Sequence, residues 1–220
     1  MNQSEFETKF CEYREFLRDE IYRFRDCVTV YRQLNERRKE EHKALYLAPV
    51  FFRVVESGLW TSIILWADKL FAEKGECGIF NFLNFIEQNR KWMSVLELKR
   101  RRDYPDNHWM IKERVPITFQ SIETDRQKII SMPALKAFRV HRDKYQGHFD
   151  RAYSFEQERL TMEAPINWSD LEEAGQIMGQ IMNDYSADFD GNTFLWSSLG
   201  IDDVNSLLNH AINGYVRPQE

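Results

Sequence analysis

Apolar residues along this chain recur every three or four positions, in stripes of helical length. Phe6, Phe10, Tyr13, Leu17, Ile21, Phe24, Val28, Tyr31 and Leu34 line one face of a long helix over about 5–36. Ser4 and Glu7 stand at its head in the spacing of a capping box. Pro49 predicts the next helix start. Phe52, Val55, Leu59, Ile63, Trp66 and Leu70 form its stripe, and Gly75 and Gly78 mark its end. A short apolar segment, Ile79 to Ile86, precedes a charged helix around Lys91 to Arg102, and Tyr104-Pro105-Asp106-Asn107 reads as a loop. The helical pattern resumes after Pro116 and runs to about Gln146, with a break at Ser131-Met132-Pro133. Ser169 and Glu172 form a second capping-box pattern ahead of Leu171, Ala174, Met178, Ile181 and Tyr185, and Gly191 is a natural stop. A last short helix covers Asp203 to Ile212. No segment alternates with the period of a strand, and no repeat appears. The pattern predicts one all-α domain over residues 1–220, a bundle of six or seven helices led by a long one and closed by acidic helices over about 168–213.

Composition narrows the class. With 43% apolar, 14% aromatic and 30% charged residues, and only 9 Gly and 6 Pro, the chain fits a globular domain with an aromatic-rich core, not a disordered or fibrous one. The longest uncharged apolar run, Ser57 to Ala67, is 11 residues, short of the roughly 20 that span a membrane. Charges throughout the first thirty residues leave no room for a secretory signal. Cys11, Cys27 and Cys77 are odd in number and form no CxxC pair, which argues against a disulfide frame or a zinc site. These features predict a cytoplasmic protein with no membrane partner. Residues 161–220 hold ten acids and one base, Arg217, for a net −9; the rest of the chain is +4, against −5 overall. Such asymmetry fits either a solvated acidic helix face or a mildly basic body that meets a polyanion.

Familiar catalytic patterns are absent: no GxGxxG, P-loop, HExxH or GxSxG. Asp188-Phe189-Asp190-Gly191-Asn192 begins like a calcium loop but fails it, with Thr193 at the sixth position and Leu199 at the twelfth. Asn167-Trp168-Ser169 fits a glycosylation sequon that a cytoplasmic chain would not use. Arg followed by His after four to six residues remains. That pair can cleave RNA, the His moving a proton at a ribose oxygen and the Arg neutralising charge on the phosphorane. The spacing occurs at Arg37 with His42, at Arg101 or Arg102 with His108, and at Arg142 with His148. Only the last has apolar support. Leu135, Phe138, Arg142, Tyr145 and Phe149 step by three and four, which puts a guanidinium on the apolar seam, where it must be paired or face a groove. Gly147 predicts the end of that helix. A purely structural reading pairs Arg142 with Asp150 or Glu156 and makes His148 a helix cap.

The segment Arg142-Asp143-Lys144-Tyr145-Gln146-Gly147-His148-Phe149-Asp150 resembles the signature of the HEPN superfamily, closest to its abortive-infection (U-type) branch. The helix around Leu59-Trp60 and Leu65-Trp66-Ala67-Asp68-Lys69-Leu70-Phe71, the short helix after it, and the helix after Trp168-Ser169-Asp170-Leu171 fit the same branch. The resemblance covers about residues 45–190. It implies a helical bundle that dimerises and brings two Arg/His motifs together across a cleft. Many members are metal-independent ribonucleases that act as toxins in defence or toxin–antitoxin systems; others are inactive modules that bind a nucleotide, RNA or protein.

Carried over by position, the resemblance makes His148 the acid/base, Arg142 the stabiliser of phosphate charge and Asp143 the residue that orients one of them, with no metal and no cofactor. RNA contacts would come from Arg139, His141, Lys144 and a stacking Tyr145, with Lys99 to Arg102 as further phosphate contacts. A homodimer, an RNA substrate and an antitoxin protein are the implied partners. Some toxins of the superfamily carry a modifiable Tyr two residues after the His; here that position is Asp150, which argues against that regulation.

Overall fold

The structure is a computed structural model that describes residues 1–40, 42–112, 114–148, 150–197 and 202–215. Among them every regular element is helical. Twelve α-helices replace the six or seven that periodicity predicts: α1 (Gln3–Lys39), α2 (Ala44–Leu47), α3 (Pro49–Leu70), α4 (Ile79–Gln88), α5 (Val95–Arg102), α6 (Trp109–Lys112), α7 (Phe119–Ile130), α8 (Pro133–His141), α9 (Arg151–Phe155), α10 (Gln157–Glu163), α11 (Trp168–Asp190) and α12 (Asp203–Tyr215). A 3₁₀ turn (Arg90–Met93) leads into α5, and a π-helical turn (Arg142–Gln146) follows α8. The excess comes from short helices of four to seven residues and from the break before Pro133, which divides the predicted 116–146 helix into α7 and α8.

Neither Ser-based capping box forms; each helix starts two residues earlier, behind an Asn. Asn2 caps α1 with Glu5, and Asn167 caps α11 with Asp170. The acids that Ser4 and Ser169 would have used are engaged elsewhere. Glu7 accepts hydrogen bonds from Arg100 and Arg101, and Glu172 accepts one from Arg32. Asn serves an N-cap as well as Ser does, so tertiary ion pairs decide the register. Pro49 opens α3 and Gly191 closes α11 as expected, the latter at φ +77°, where a side chain would be strained.

The α1 stripe is the spine of the core. Phe6, Phe10, Leu17 and Ile21 are wholly buried and Phe24 nearly so, mainly against α3 and α11. Aromatic rings knit the far end: Phe10 stacks on Phe189 with centroids 4.0 Å apart, Phe6 on Phe85 at 5.2 Å, and Phe82 meets Tyr185 edge-on at 5.7 Å. A smaller cluster, Leu34, Ala44, Leu45, Val204 and Leu208, joins α12 to the end of α1 and to α2, with Phe52, Val55 and Leu59 of α3 against it.

α3 departs from the sequence reading. The helix is 22 residues long and, by length and composition, is the one candidate membrane span among the described residues. Its C-terminal half is core: Ile63, Ile64, Ala67 and Leu70 are buried. Its N-terminal half carries Val50, Phe51 and Val54 exposed, beside Tyr46 and Leu47.

Truncating Phe10→Ala removes a buried ring from three aromatic partners and is expected to cost roughly 3–5 kcal/mol in urea denaturation. Phe155→Ala, at a position 82% exposed, is expected to change stability by less than about 0.5 kcal/mol.

Candidate functional site

Two proline-started helices build the site. α3 and α8 pack together, and α8 runs directly into the π turn that carries Arg142 to Gln146. Gly147 N–H donates to Arg142 O at 2.6 Å, five residues back, so one extra residue is wound into the turn. Gly147 does not take the left-handed conformation of a helix cap; its φ is −92°. Glycine suits the position for another reason, because a Cβ would lie 3.0 Å from the Arg142 carbonyl oxygen. Phe149, the last residue of the predicted stripe, lies outside the described residues.

α3 grips this turn at two points and the end of α8 at a third. Asp68 accepts a hydrogen bond from Arg142 Nη1 at 2.5 Å, Thr61 Oγ1 donates to Gln146 Oε1 at 2.8 Å, and the Trp60 ring meets His141 edge-on with centroids 5.8 Å apart. Asp68 is 8% exposed. Arg142 also donates from Nε to Asp143 Oδ1 at 2.7 Å, and its Nη2 lies at the same distance from that oxygen. Burial opposes the Arg142 charge, but the hydrogen bonds to Asp68 and Asp143 outweigh it and hold its pKa above the ordinary guanidinium value. The purely structural pairing is therefore replaced: Asp150 bonds Lys144 at 3.0 Å and caps α9, while Arg142 turns to α3.

The other candidate residues fall into different environments. His148 is exposed just past the π turn, and among the described residues its imidazole has no hydrogen-bond or ion-pair partner. Tyr145 is half-buried. Lys144 is held by Asp150, which raises its pKa by hydrogen bonding and charge, and Arg139 pairs with Glu73 at 2.8 Å. His141, read from sequence as an RNA contact, is corrected. It is 6% exposed, its Nε2–H donates to Ala164 O at 2.8 Å, and its Nδ1 is buried without a partner. The 100°-per-residue turn of α8 puts it on the core side next to Arg142. Burial, partly offset by the Ala164 hydrogen bond, lowers its pKa.

The basic run in α5 is also committed within the fold. Arg101 donates to Glu7, Trp92 O and Phe189 O; Arg100 to Glu97 and Glu7; Arg102 to Asp190 O and Asn192; Lys99 to Asp106. Arg101, nearly buried, fastens α5 to α1 and α11, and Arg102 reaches the end of α11, whereas Lys99 and Arg100 form exposed ion pairs.

Asp68 is the site residue that sequence reading missed. One signal could have found it: Asp68 stands in step with Ile64 and Phe71 on the buried face of α3, as Arg142 stands on the α8 seam, and two charges on apolar faces invite each other.

A model of the AbiU2 family, a HEPN-type abortive-infection family, matches residues 7–209; the chain belongs to that family. The match takes in most of α1 and the first half of α12, beyond the 45–190 span of the sequence resemblance. No curated protein and no solved structure matches the chain.

The buried His141 gives a pH test. Its folded pKa is below the ordinary 6.5, so as pH falls through 6.5 the unfolded chain takes up the proton first. The stabilisation is full above 6.5 and is lost as pH drops toward the folded value. Urea denaturation of the wild type is expected to show a larger stability drop between about pH 7.5 and about pH 5.5 than His141→Gln; equal drops would place the titration elsewhere.

Proposed function

We propose that this abortive-infection HEPN domain is a cytoplasmic, metal-independent endoribonuclease that works as a toxin, two copies together forming the cleft. The observation that carries the reading is Arg142, a guanidinium held on a π turn by a buried carboxylate, with His148 exposed two residues past that turn and its imidazole without a partner among the described residues. Neither residue needs a metal for this chemistry. The 2′-oxygen of the substrate attacks the adjacent phosphorus, the 5′-oxygen leaves, and the products are a 2′,3′-cyclic phosphate and a 5′-hydroxyl. His148 of one protomer takes the 2′-proton and its counterpart returns a proton to the leaving oxygen. Arg142 balances the extra charge on the phosphorane.

A face for the second copy is available on α3. Tyr46, Val50, Phe51 and Val54 are 60–67% exposed, a contiguous apolar row of the kind that monomers rarely leave to water. Val50, Phe51 and Val54 stand at the start of the helix that bears Asp68, about 21–27 Å along its axis from that residue, so a second copy must extend along α3 to reach the π turn. A lipid bilayer is the poorer occupant, because the C-terminal half of α3 is already core and Asp68 is fixed to Arg142.

The second reading is a HEPN dimer that binds RNA, a nucleotide or an antitoxin protein without turnover. What favours it is the double occupancy of Arg142 by Asp68 and Asp143, which leaves the pair and its cation net negative.

Cleavage of a mixed RNA pool in EDTA tests the first reading. Wild type is expected to leave cyclic-phosphate ends, and His148→Ala and Arg142→Ala to lose at least about 100-fold. Activity that survives in both variants would remove these residues from the site, and RNA binding without turnover would select the second reading. Phe51→Glu with Val54→Glu is expected to give a monomer in sedimentation and to lose cleavage with it. A wild type that is itself monomeric would end the dimer proposal.

A further inference from the structure

The two carboxylates on Arg142 are not equivalent, and the difference assigns them separate roles. A guanidinium presents five N–H donors in a fixed plane, and its Nε–Nη2 edge is one of the forks that match a phosphate. Asp68 bonds Nη1 and leaves that edge alone, whereas Asp143 Oδ1 sits on it, 2.7 Å from both nitrogens. The Asp68 side chain is 10% exposed and the Asp143 side chain 55%. Asp68 projects from a 22-residue helix beside buried Ile64, Ala67 and Phe71. Asp143 has only the neighbouring turn of its own chain behind it.

Resting on the nuclease reading of Arg142, we infer that Asp68 is its positioning residue and that Asp143 is a resident stand-in for the substrate phosphate, covering the fork until RNA displaces it. A carboxylate held in a dry wall beside a rigid helix keeps the guanidinium plane fixed, because the guanidinium has no second acceptor of that kind on the Nη1 side. An exposed ion pair contributes little in water and yields to a better partner. A phosphodiester offers two oxygens to the two nitrogens that Asp143 meets with one, and RNA brings it with the ribose attached. This reverses the role that the sequence resemblance gives to Asp143: the orienting carboxylate is the distant Asp68, and the adjacent one is a competitor. It also removes the difficulty of the net negative cluster. Once Asp143 swings away, Arg142 faces the phosphate with one countercharge behind it.

The experiment compares wild type, Asp68→Asn, Asp143→Asn, Arg142→Ala and the Asp68→Asn/Arg142→Ala double variant. Each is measured for binding of a fluorescein-labelled mixed-sequence RNA pool and for single-turnover cleavage of the same pool, with folding checked by circular dichroism and melting. Asn keeps the shape of Asp and loses its charge, so the Asp68→Asn chain is expected to fold. Its cleavage rate is expected to fall about 10–100-fold, with no further loss when Asp68→Asn is added to Arg142→Ala. Asp143→Asn is expected to bind the RNA pool several-fold more tightly. Asp68→Glu, which retains the charge, is expected to recover part of the lost rate, a recovery that a merely structural role would not show.

Wild-type cleavage in Asp68→Asn beside a dead Arg142→Ala would overturn the inference and leave the nuclease reading standing. So would a loss of equal size in the double variant relative to Arg142→Ala, or weaker RNA binding by Asp143→Asn. Indifference of both cleavage and binding to Arg142→Ala would overturn the nuclease reading, and the inference with it.

Discussion

Phe6, Phe10, Leu17, Ile21 and Phe24 leave water together, and α3 and α11 are the helices that take them out of it. A helix of 37 residues gains little from its own hydrogen bonds once solvent competes for them; its stability comes from the buried face. The helices against α1 are therefore bound to lie where its stripe points. α3 lies along it, α4 and α11 close the aromatic end, and α12 with α2 closes the other. With α3 fixed in this way, its opposite flank is what receives α8 and the π turn. The position of Arg142 is thus a consequence of how α1 buries its face.

The charge asymmetry of the chain takes on a different meaning in three dimensions. Acids of the last third meet arginines of the first two: Asp190 pairs with Arg14 at 2.8 Å, Asp188 with Arg114, and Glu172 with Arg32. Arg102 reaches the end of the same helix through Asp190 O and Asn192. Three of the α11 acids are thus neutralised by arginines from earlier in the chain, two of them on α1. Burial even pushes Asp188 up to about 6 despite its arginine. Any recognition of a polyanion is left to a local group of charges around the π turn, where long-range attraction is weak and geometry counts for more.

That local geometry rests on unequal restraint. α3 supplies a hydroxyl and a carboxylate to two residues of the motif and a ring to His141 just before it. The residues nearest in sequence to Arg142 supply only exposed contacts. A π turn is a costly piece of backbone, and such turns cluster where a side chain has to be aimed. Here the extra residue falls between the Arg and the His, so it changes how the two side chains are disposed without changing their spacing in the chain.

The sequence by itself determined the long helices α1, α3 and α11 and the apolar stripe that α1 buries, and it singled out Arg142 and His148 as candidates. Those properties are local: a three-to-four residue period, a proline at a start and a glycine at a stop act within a turn or two. The α1 stripe, the Pro49 start and the Gly191 stop were all legible for that reason. Tertiary structure alone decided which acid Arg142 would meet, whether His141 would see solvent, and whether the α5 arginines would be free. Asp68 lies 74 residues before Arg142, and Glu7 lies more than ninety before its two arginines. No local rule couples such distant positions; packing does, because a buried charge takes the partner that the fold brings within reach.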